Sequence, residues 1–101
     1  MILEMVVLNV KSGLGEAFEL AFEEAQILIS SMPGYINHQL QKCIETPNHY
    51  LLLVHWRTLE DHMVGFRGSD EFQQWRAMLH HFYDPLPVVE HYELLFGGKE
   101  R

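Results

Sequence analysis

The stretch Tyr35–Trp56, YINHQLQKCIETPNHYLLLVHW, decides the fold. Two β-rich runs, Tyr35–Ile44 and His49–Trp56, flank Glu45-Thr46-Pro47-Asn48, whose Pro and Asn suit a turn, so the pair reads as a hairpin. Immediately upstream, Pro33-Gly34 ends a segment with a different period. From Leu14 to Met32 the apolar residues Leu14, Phe18, Ala21, Phe22, Ala25, Leu28, Ile29 and Met32 recur at the spacing of one helix face. Glu16, Glu19, Glu23 and Glu24 occupy the opposite face, the first two near the positive end of the helix dipole. Before this helix, Ile2–Val10 is β-rich and closes at Ser12-Gly13 and Gly15. Beyond the hairpin, Thr58 with Asp61 three residues on predicts the start of a short helix that Gly65 and Gly68 break. Ser69-Asp70-Glu71 opens another helix reaching about His81, and Asp84-Pro85-Leu86-Pro87 prevents its continuation. Val88–Phe96 reads as a last strand and Gly97–Arg101 as a polar tail. The order β-α-β-β-α-β predicts an α+β, ferredoxin-like βαββαβ domain over residues 1–96, a four-stranded antiparallel sheet with its helices on one face, and a tail over 97–101.

Composition narrows the function classes. Hydrophobic residues make up 48 % of the 101 and charged ones 21 %, which is globular composition and excludes intrinsic disorder. Seven Lys and Arg against fourteen Asp and Glu leave a formal charge of −7, which argues against nucleic acid or an anionic membrane surface as partner. A single cysteine, Cys43, cannot form an internal disulfide and fits a reducing compartment. In MILEMVVLNVK, Glu4 interrupts the apolar run and no basic region precedes it, and no stretch approaches the ~18 apolar residues of a membrane span. The expectation is a cytoplasmic single domain.

The strands do not alternate cleanly between apolar and polar. The first carries Ile2, Val6 and Leu8 on one face and Leu3, Met5 and Val7 on the other; the third has Leu52, Val54 and Trp56 against Leu51 and Leu53. Two helices cover only one face of a four-stranded sheet. A homodimer packed through the remaining sheet faces is the economical way to cover the second.

Candidate chemistry lies in the second half of the chain. No G-x-G-x-x-G, P-loop, C-x-x-C or H-E-x-x-H motif occurs, and Gly13-Leu14-Gly15 reads as a turn. The seven histidines show no H-x-x-x-H spacing on one helix face, so no metal site is expected and solvated or interface positions explain them. Cys43 reads as a small packing residue beside the turn. The apolar stripe of the short helix is Leu59, Met63 and Phe66 with His62 inside it; that of the next helix is Phe72, Trp75, Leu79 and Tyr83 with Arg76 inside it. An arginine aimed at a sheet needs a partner or a wet pocket. One reading is a structural ion pair with Glu90, Glu93 or Glu4, or snorkelling at the edge of the stripe. The other is a cavity between helices and sheet, lined by Trp56, Phe66 and Trp75 and polarised by His62 and Arg76.

The run VHWRTLEDHMVGFRGSDEFQQWRAMLHHFYDPLPVVEHYELL resembles the antibiotic biosynthesis monooxygenase family of dimeric α+β barrels. The resemblance rests on Trp56-Arg57-Thr58-Leu59-Glu60-Asp61, on Ser69 with Phe72, on the closing Glu90-His91-Tyr92-Glu93, and on MILEMVVLNVKSG and the Met32-Pro33-Gly34-Tyr35 helix exit; it spans residues 1 to about 96. It implies a homodimer whose sheets meet back to back. It also implies cofactor-independent oxygenation of a small aromatic phenol or quinol with O2. In the phenol-oxidising members a Trp ending the third strand, a polar residue on the short helix and an Arg on the next helix contact substrate, which fall on Trp56, His62 and Arg76. Phe66, Trp75, Leu52 and Tyr92 complete the expected binding set, although Leu52 stands where those enzymes carry Asn. In that scheme His62 is the general base, Arg76 steadies a phenolate, and no cofactor or metal takes part. The alternative is a non-catalytic dimer that binds a metabolite or serves as an accessory or stress protein. A third reading, a haem-binding relative, meets Val6, Phe66 and Arg76 where haem-degrading members carry Asn, Trp and His.

Overall fold

The computed structural model describes residues 1–100. Its elements are β1 (Ile2–Asn9), α1 (Gly15–Ser30), β2 (Tyr35–Lys42), β3 (His49–Trp56), a π-helical turn (Asp61–Phe66), α2 (Asp70–Leu79) followed by a 3-10 turn (His80–Phe82), and β4 (Val89–Glu93). The sheet has the order β2-β3-β1-β4 and is antiparallel throughout, so the expected ferredoxin-like topology is the one adopted.

Parity along the strands sets the core. Val6 and Leu8 of β1 and Tyr50, Leu52, Val54 and Trp56 of β3 point to the helix side and are buried. Onto them α1 lays Phe18, Phe22, Ala25 and Ile29, all inside the apolar stripe read from the sequence. Phe18 meets Tyr50, Phe82 and Tyr83 edge-on, with ring centroids 4.9, 5.8 and 5.7 Å away. Phe22 meets Trp75 in the same way at 5.7 Å and thereby joins α1 to α2. The opposite sheet face, carrying Leu3, Met5, Val7, Leu51 and Leu53, has no element over it and is half-buried.

Two strands are shorter than expected. β2 stops at Lys42, and Ile44 beyond it is exposed. β4 stops at Glu93, paired with Ile2; since β1 begins there, no neighbour remains for Leu94, Leu95 and Phe96, which project into solvent. Cys43 is only partly buried, its sulfur accepting from the Thr46 amide at 3.3 Å, so it braces the turn and does not pack in the core.

The short helix departs most from expectation. Thr58 does cap it, accepting from the Asp61 amide at 3.1 Å. However, the turn is π-helical, with the Arg67 amide bonded to the His62 carbonyl at 3.1 Å. The widened turn directs His62 and Phe66 inward and leaves Leu59 and Met63 exposed, so the expected Leu59–Met63–Phe66 stripe is not the buried one. The turn is seated against the exit of α1. Gly34 has φ of 83°, and its carbonyl accepts the Arg57 amide at 2.7 Å. A Cβ on Gly34 would overlap the Asp61 carboxyl. Gly34→Ala is therefore expected to lower stability by about 1–3 kcal/mol in urea unfolding, through a strained left-handed residue and displacement of the turn that carries His62.

Candidate active site

Between the helices and the sheet lies a cavity of about 330 Å³. Val6, Leu8 and Leu52 form its floor, and Phe66, Phe72 and Trp75 a wall. Its polar groups are Glu4, His62, Arg67, Arg76, His80 and Tyr83. The segment after the 3-10 turn closes one side. It is tied to the end of β1 by Lys11 N to Phe82 O at 2.8 Å and Asp84 N to Asn9 O at 2.9 Å.

The strongest polar feature is one the motifs do not reveal. Glu4 shares the inward parity of Val6 and Leu8 and is 5 % exposed. Its Oε1 accepts from Trp56 Nε1 at 2.8 Å and lies 3.3 Å from His62 Nε2. The other His62 nitrogen, Nδ1, is 2.8 Å from Nε2 of His91 on β4, the strand position directly paired with Glu4. The His62 ring stacks on Trp56, with centroids 5.3 Å apart and planes 21° from parallel. Burial pushes the Glu4 carboxyl up to about 7, against the opposing pull of the Trp56 hydrogen bond and the positive Arg67. Burial, with His91 and Arg67 adding to it, pushes His62 down to about 3. Both shifts favour the uncharged forms and so work against an ion pair between Glu4 and His62.

The sequence-predicted residues divide. His62, Phe66, Trp75, Leu52 and Arg76 all reach the cavity. Trp56 does not: it is fully buried one layer behind, where it holds Glu4 and His62. Tyr92 is on the other sheet face, since it pairs with Leu3, and there borders a separate hollow of about 160 Å³ with Met1, His55 and Leu94. Arg76 is exposed and not aimed at the sheet. The buried stripe of α2 runs through Phe72, Trp75 and Leu79, and Arg76 sits at its margin, its guanidinium 6.0 Å from the Phe72 ring. Among the described residues no carboxylate lies within ion-pair distance of it, so the expected partners Glu90, Glu93 and Glu4 are not used. Sequence reasoning missed Glu4, Arg67 and His91 as site residues. The parity of Ile2, Val6 and Leu8 was a signal for Glu4; His91 needed the β1–β4 register. No group of three or more His, Cys, Asp or Glu side chains is arranged to hold a metal ion among the described residues.

Against this geometry, comparison with known proteins places the chain in a class. Residues 1–78 match the family model for antibiotic biosynthesis monooxygenase, and the chain belongs to that family. YczJ of Bacillus subtilis (strain 168), a protein of uncharacterised function, is 55 % identical over 93 residues, covering 92 % of this chain and 98 % of its own. The crystal structure of a Bordetella bronchiseptica protein, provisionally described as an antibiotic biosynthesis monooxygenase, superposes with a TM-score of 0.89 at 33 % identity, over 94 % of this chain and 97 % of that one. SnoaB of Streptomyces nogalater, a cofactor-independent oxygenase, shares the fold with a TM-score of 0.67 at 20 % identity, over 99 % and 94 % of the two chains.

The raised Glu4 carboxyl has a thermodynamic consequence. The folded state holds its proton more tightly than the unfolded chain, so this contribution to stability is fully present below the ordinary carboxylate range and is lost as pH rises through about 7. His62 acts oppositely: its contribution is present above about 6.5 and is lost as pH falls toward 3. Because Glu4→Gln removes only the first effect, the variant should gain on the wild type by about 2–3 kcal/mol between pH 5 and pH 8. Denaturant unfolding of both proteins at the two pH values measures this, and a constant difference would contradict it.

Proposed function

We propose that the protein is a cofactor-independent monooxygenase acting on a small aromatic phenol or quinol with O2. The observation that carries this reading is the cavity itself: an aromatic and aliphatic slot with a buried proton-accepting pair, Glu4 and His62, on one wall and unpaired arginine at another. In the reaction, Phe66 and Trp75 hold the ring, and Arg76, with Arg67 near it, stabilises the phenolate formed when the hydroxyl proton passes to the Glu4–His62 wall. The electron-rich anion then reduces O2: one oxygen atom enters a ring carbon, and the other leaves as water with the two hydrogens the substrate loses. Trp56 acts from behind, by positioning the proton-accepting pair. Cofactor-independent oxygenation by SnoaB, on the same fold, is compatible with this chemistry.

The accessory reading would place the Arg76 guanidinium on a protein carboxylate with no cavity beside it, and the geometry favours a ligand instead. A protein that binds phenols without oxidising them is the second outcome of the test. Oxygen uptake with a panel of hydroquinones and anthrones in the presence of EDTA is expected to exceed buffer for at least one compound; none turned over rejects the enzymatic reading. Arg76→Gln should reduce kcat/KM by about 10- to 100-fold, the cost of one charge-assisted contact.

We also propose that two copies pair through the open sheet face, since aliphatic side chains on both central strands are otherwise left half-covered. Sheets ~10 Å apart would bury Leu3, Met5, Val7, Leu51 and Leu53 in one apolar layer. Leu53→Glu places a charge there at a cost of several kcal/mol per copy and should yield a monomer that aggregates or fails to fold. Size-exclusion chromatography with light scattering reads this, and a soluble, folded L53E dimer at micromolar concentration would rule out this interface.

A further inference from the structure

The reaction above delivers a proton to a wall that is almost wholly buried, and the structure holds a route out. His62 is not a free base. Both ring nitrogens are engaged, Nε2 by Glu4 and Nδ1 by His91, and the side chain is 2 % exposed. Glu4 is different. Its contacts with Trp56 and His62 both use Oε1, and Oε2 has no hydrogen-bond partner among the described residues. No fully buried side-chain nitrogen or oxygen is left without a partner there, so Oε2 meets the cavity that Glu4 lines. At the far end, His91 is half-buried on β4, the sheet's edge, with Nε2 on His62.

Resting on the reading just given, we propose that Glu4 is the group that takes the proton from the cavity ligand and that His62 and His91 carry it onward to solvent. The chain of contacts has two complete hydrogen-bond patterns of opposite direction. With Glu4 ionised, His62 Nε2–H donates to Oε1 and His91 Nε2–H donates to His62 Nδ1. With Glu4 protonated, its O–H donates to Nε2, and His62 Nδ1–H donates to His91 Nε2. Every buried polar atom is satisfied in both, and a single proton separates them.

The transfer balances. From the protonated pattern the Glu4 proton passes to His62 Nε2 as the His62 Nδ1 proton passes to His91 Nε2 and the His91 Nδ1 proton leaves to water, which leaves the ionised pattern. The ligand O–H bond then breaks and an O–H bond forms at Oε2. Before the next transfer the carboxyl turns about its soft terminal torsion to face Nε2, and the two imidazoles return to their Nδ1–H tautomers. No oxidant is consumed, and no imidazolium has to persist at the buried position. The surroundings agree: burial holds Glu4 close to neutrality and keeps His62 uncharged. The other charged or titratable groups facing this chain are Arg67 after the π-helical turn and, across the cavity, Arg76 and His80 of α2 with its following turn and Tyr83 beyond. β3 contributes Trp56, Val54, Leu52 and, farthest from Glu4, Tyr50 to this side, the Tyr50 hydroxyl donating to Glu19 of α1.

The test follows the His62 ring by nitrogen-15 NMR on the full chain between pH 5 and 8.5, with the carboxyl band of Glu4 followed by infrared difference spectroscopy. The expected result is that His62 stays neutral and exchanges Nδ1–H for Nε2–H as Glu4 ionises, with one shared midpoint, and that Glu4→Gln locks it as Nε2–H. A His62 that becomes imidazolium over this range, or keeps one tautomer throughout, overturns the relay. His91 does not line the cavity, so for a substrate the wild type oxidises, His91→Gln should lower kcat about tenfold or more with KM unchanged, and added imidazole should restore it. An unchanged kcat, or a loss that imidazole does not restore, overturns the exit path. The tautomer measurement decides the relay even if the wild type oxidises no phenol, so the two readings fail separately.

Discussion

Burying the Glu4 carboxyl removes it from water, and the elements around the cavity are arranged so that this group is never left alone. β3 contributes the Trp56 indole, the π-helical turn contributes His62, and β4 contributes His91 at one remove. Each contact spans a different pair of elements, so the position of one acidic side chain on β1 fixes how the turn sits on the sheet. The turn's unusual winding follows from the same demand. A tighter helix over Asp61–Phe66 would rotate His62 relative to Phe66, whereas the wider turn brings both inward, one to the carboxylate and one to the cavity wall. Apolar side chains at these places would pack more cheaply. A polar network kept at this cost, beside a hollow large enough for a small aromatic molecule, is the arrangement expected of a site that handles protons.

Topology was legible because its signals are local and redundant. Pro33-Gly34, Pro47-Asn48 and the Asp84–Pro87 run punctuate the chain, and the 3.6-residue stripe of α1 cannot be taken for a strand. The inward half of α2 was legible for the same reason: Phe72, Trp75 and Leu79 follow helical spacing. The site was only half legible, and the misses share a cause. Leu59 and Met63 were misplaced because the periodic argument assumes 3.6 residues per turn, which the π-helical turn violates. Tyr92 was placed with the cavity although strand parity separates it from His91, and only the pairing of Glu4 with His91 shows which of the two faces inward. Arg76 stands at the margin of its stripe, where a long side chain lies along Phe72 and keeps its charge at the rim. Glu4 followed the parity of its neighbours, but an acid in an apolar run reads first as an interruption.

The two sheet faces answer different needs. On the helix side, large aromatic groups from α1, α2 and the 3-10 turn interlock around Phe18, leaving room only where the chain after Phe82 bridges back to β1. On the other side half-buried aliphatic side chains run across β1 and β3. The polar network of Glu4, His62 and His91 stays on the first side and the open aliphatic surface on the second. Central strands thus serve two unlike environments, separated by the alternation of side chains along a single backbone.

Both tryptophans of the chain belong to the cavity's surroundings, Trp75 as wall and Trp56 as the donor to Glu4. The indole emission of the molecule therefore originates entirely within this one region; none arises from α1, β2 or the tail. A denaturation curve followed by that emission reports the loosening of the layer between α2 and β3. Far-ultraviolet circular dichroism, dominated by α1, reports a different part of the same chain. Where the two curves coincide, the region around the cavity and the long helix melt as one unit, and where they separate, the cavity opens while the scaffold persists.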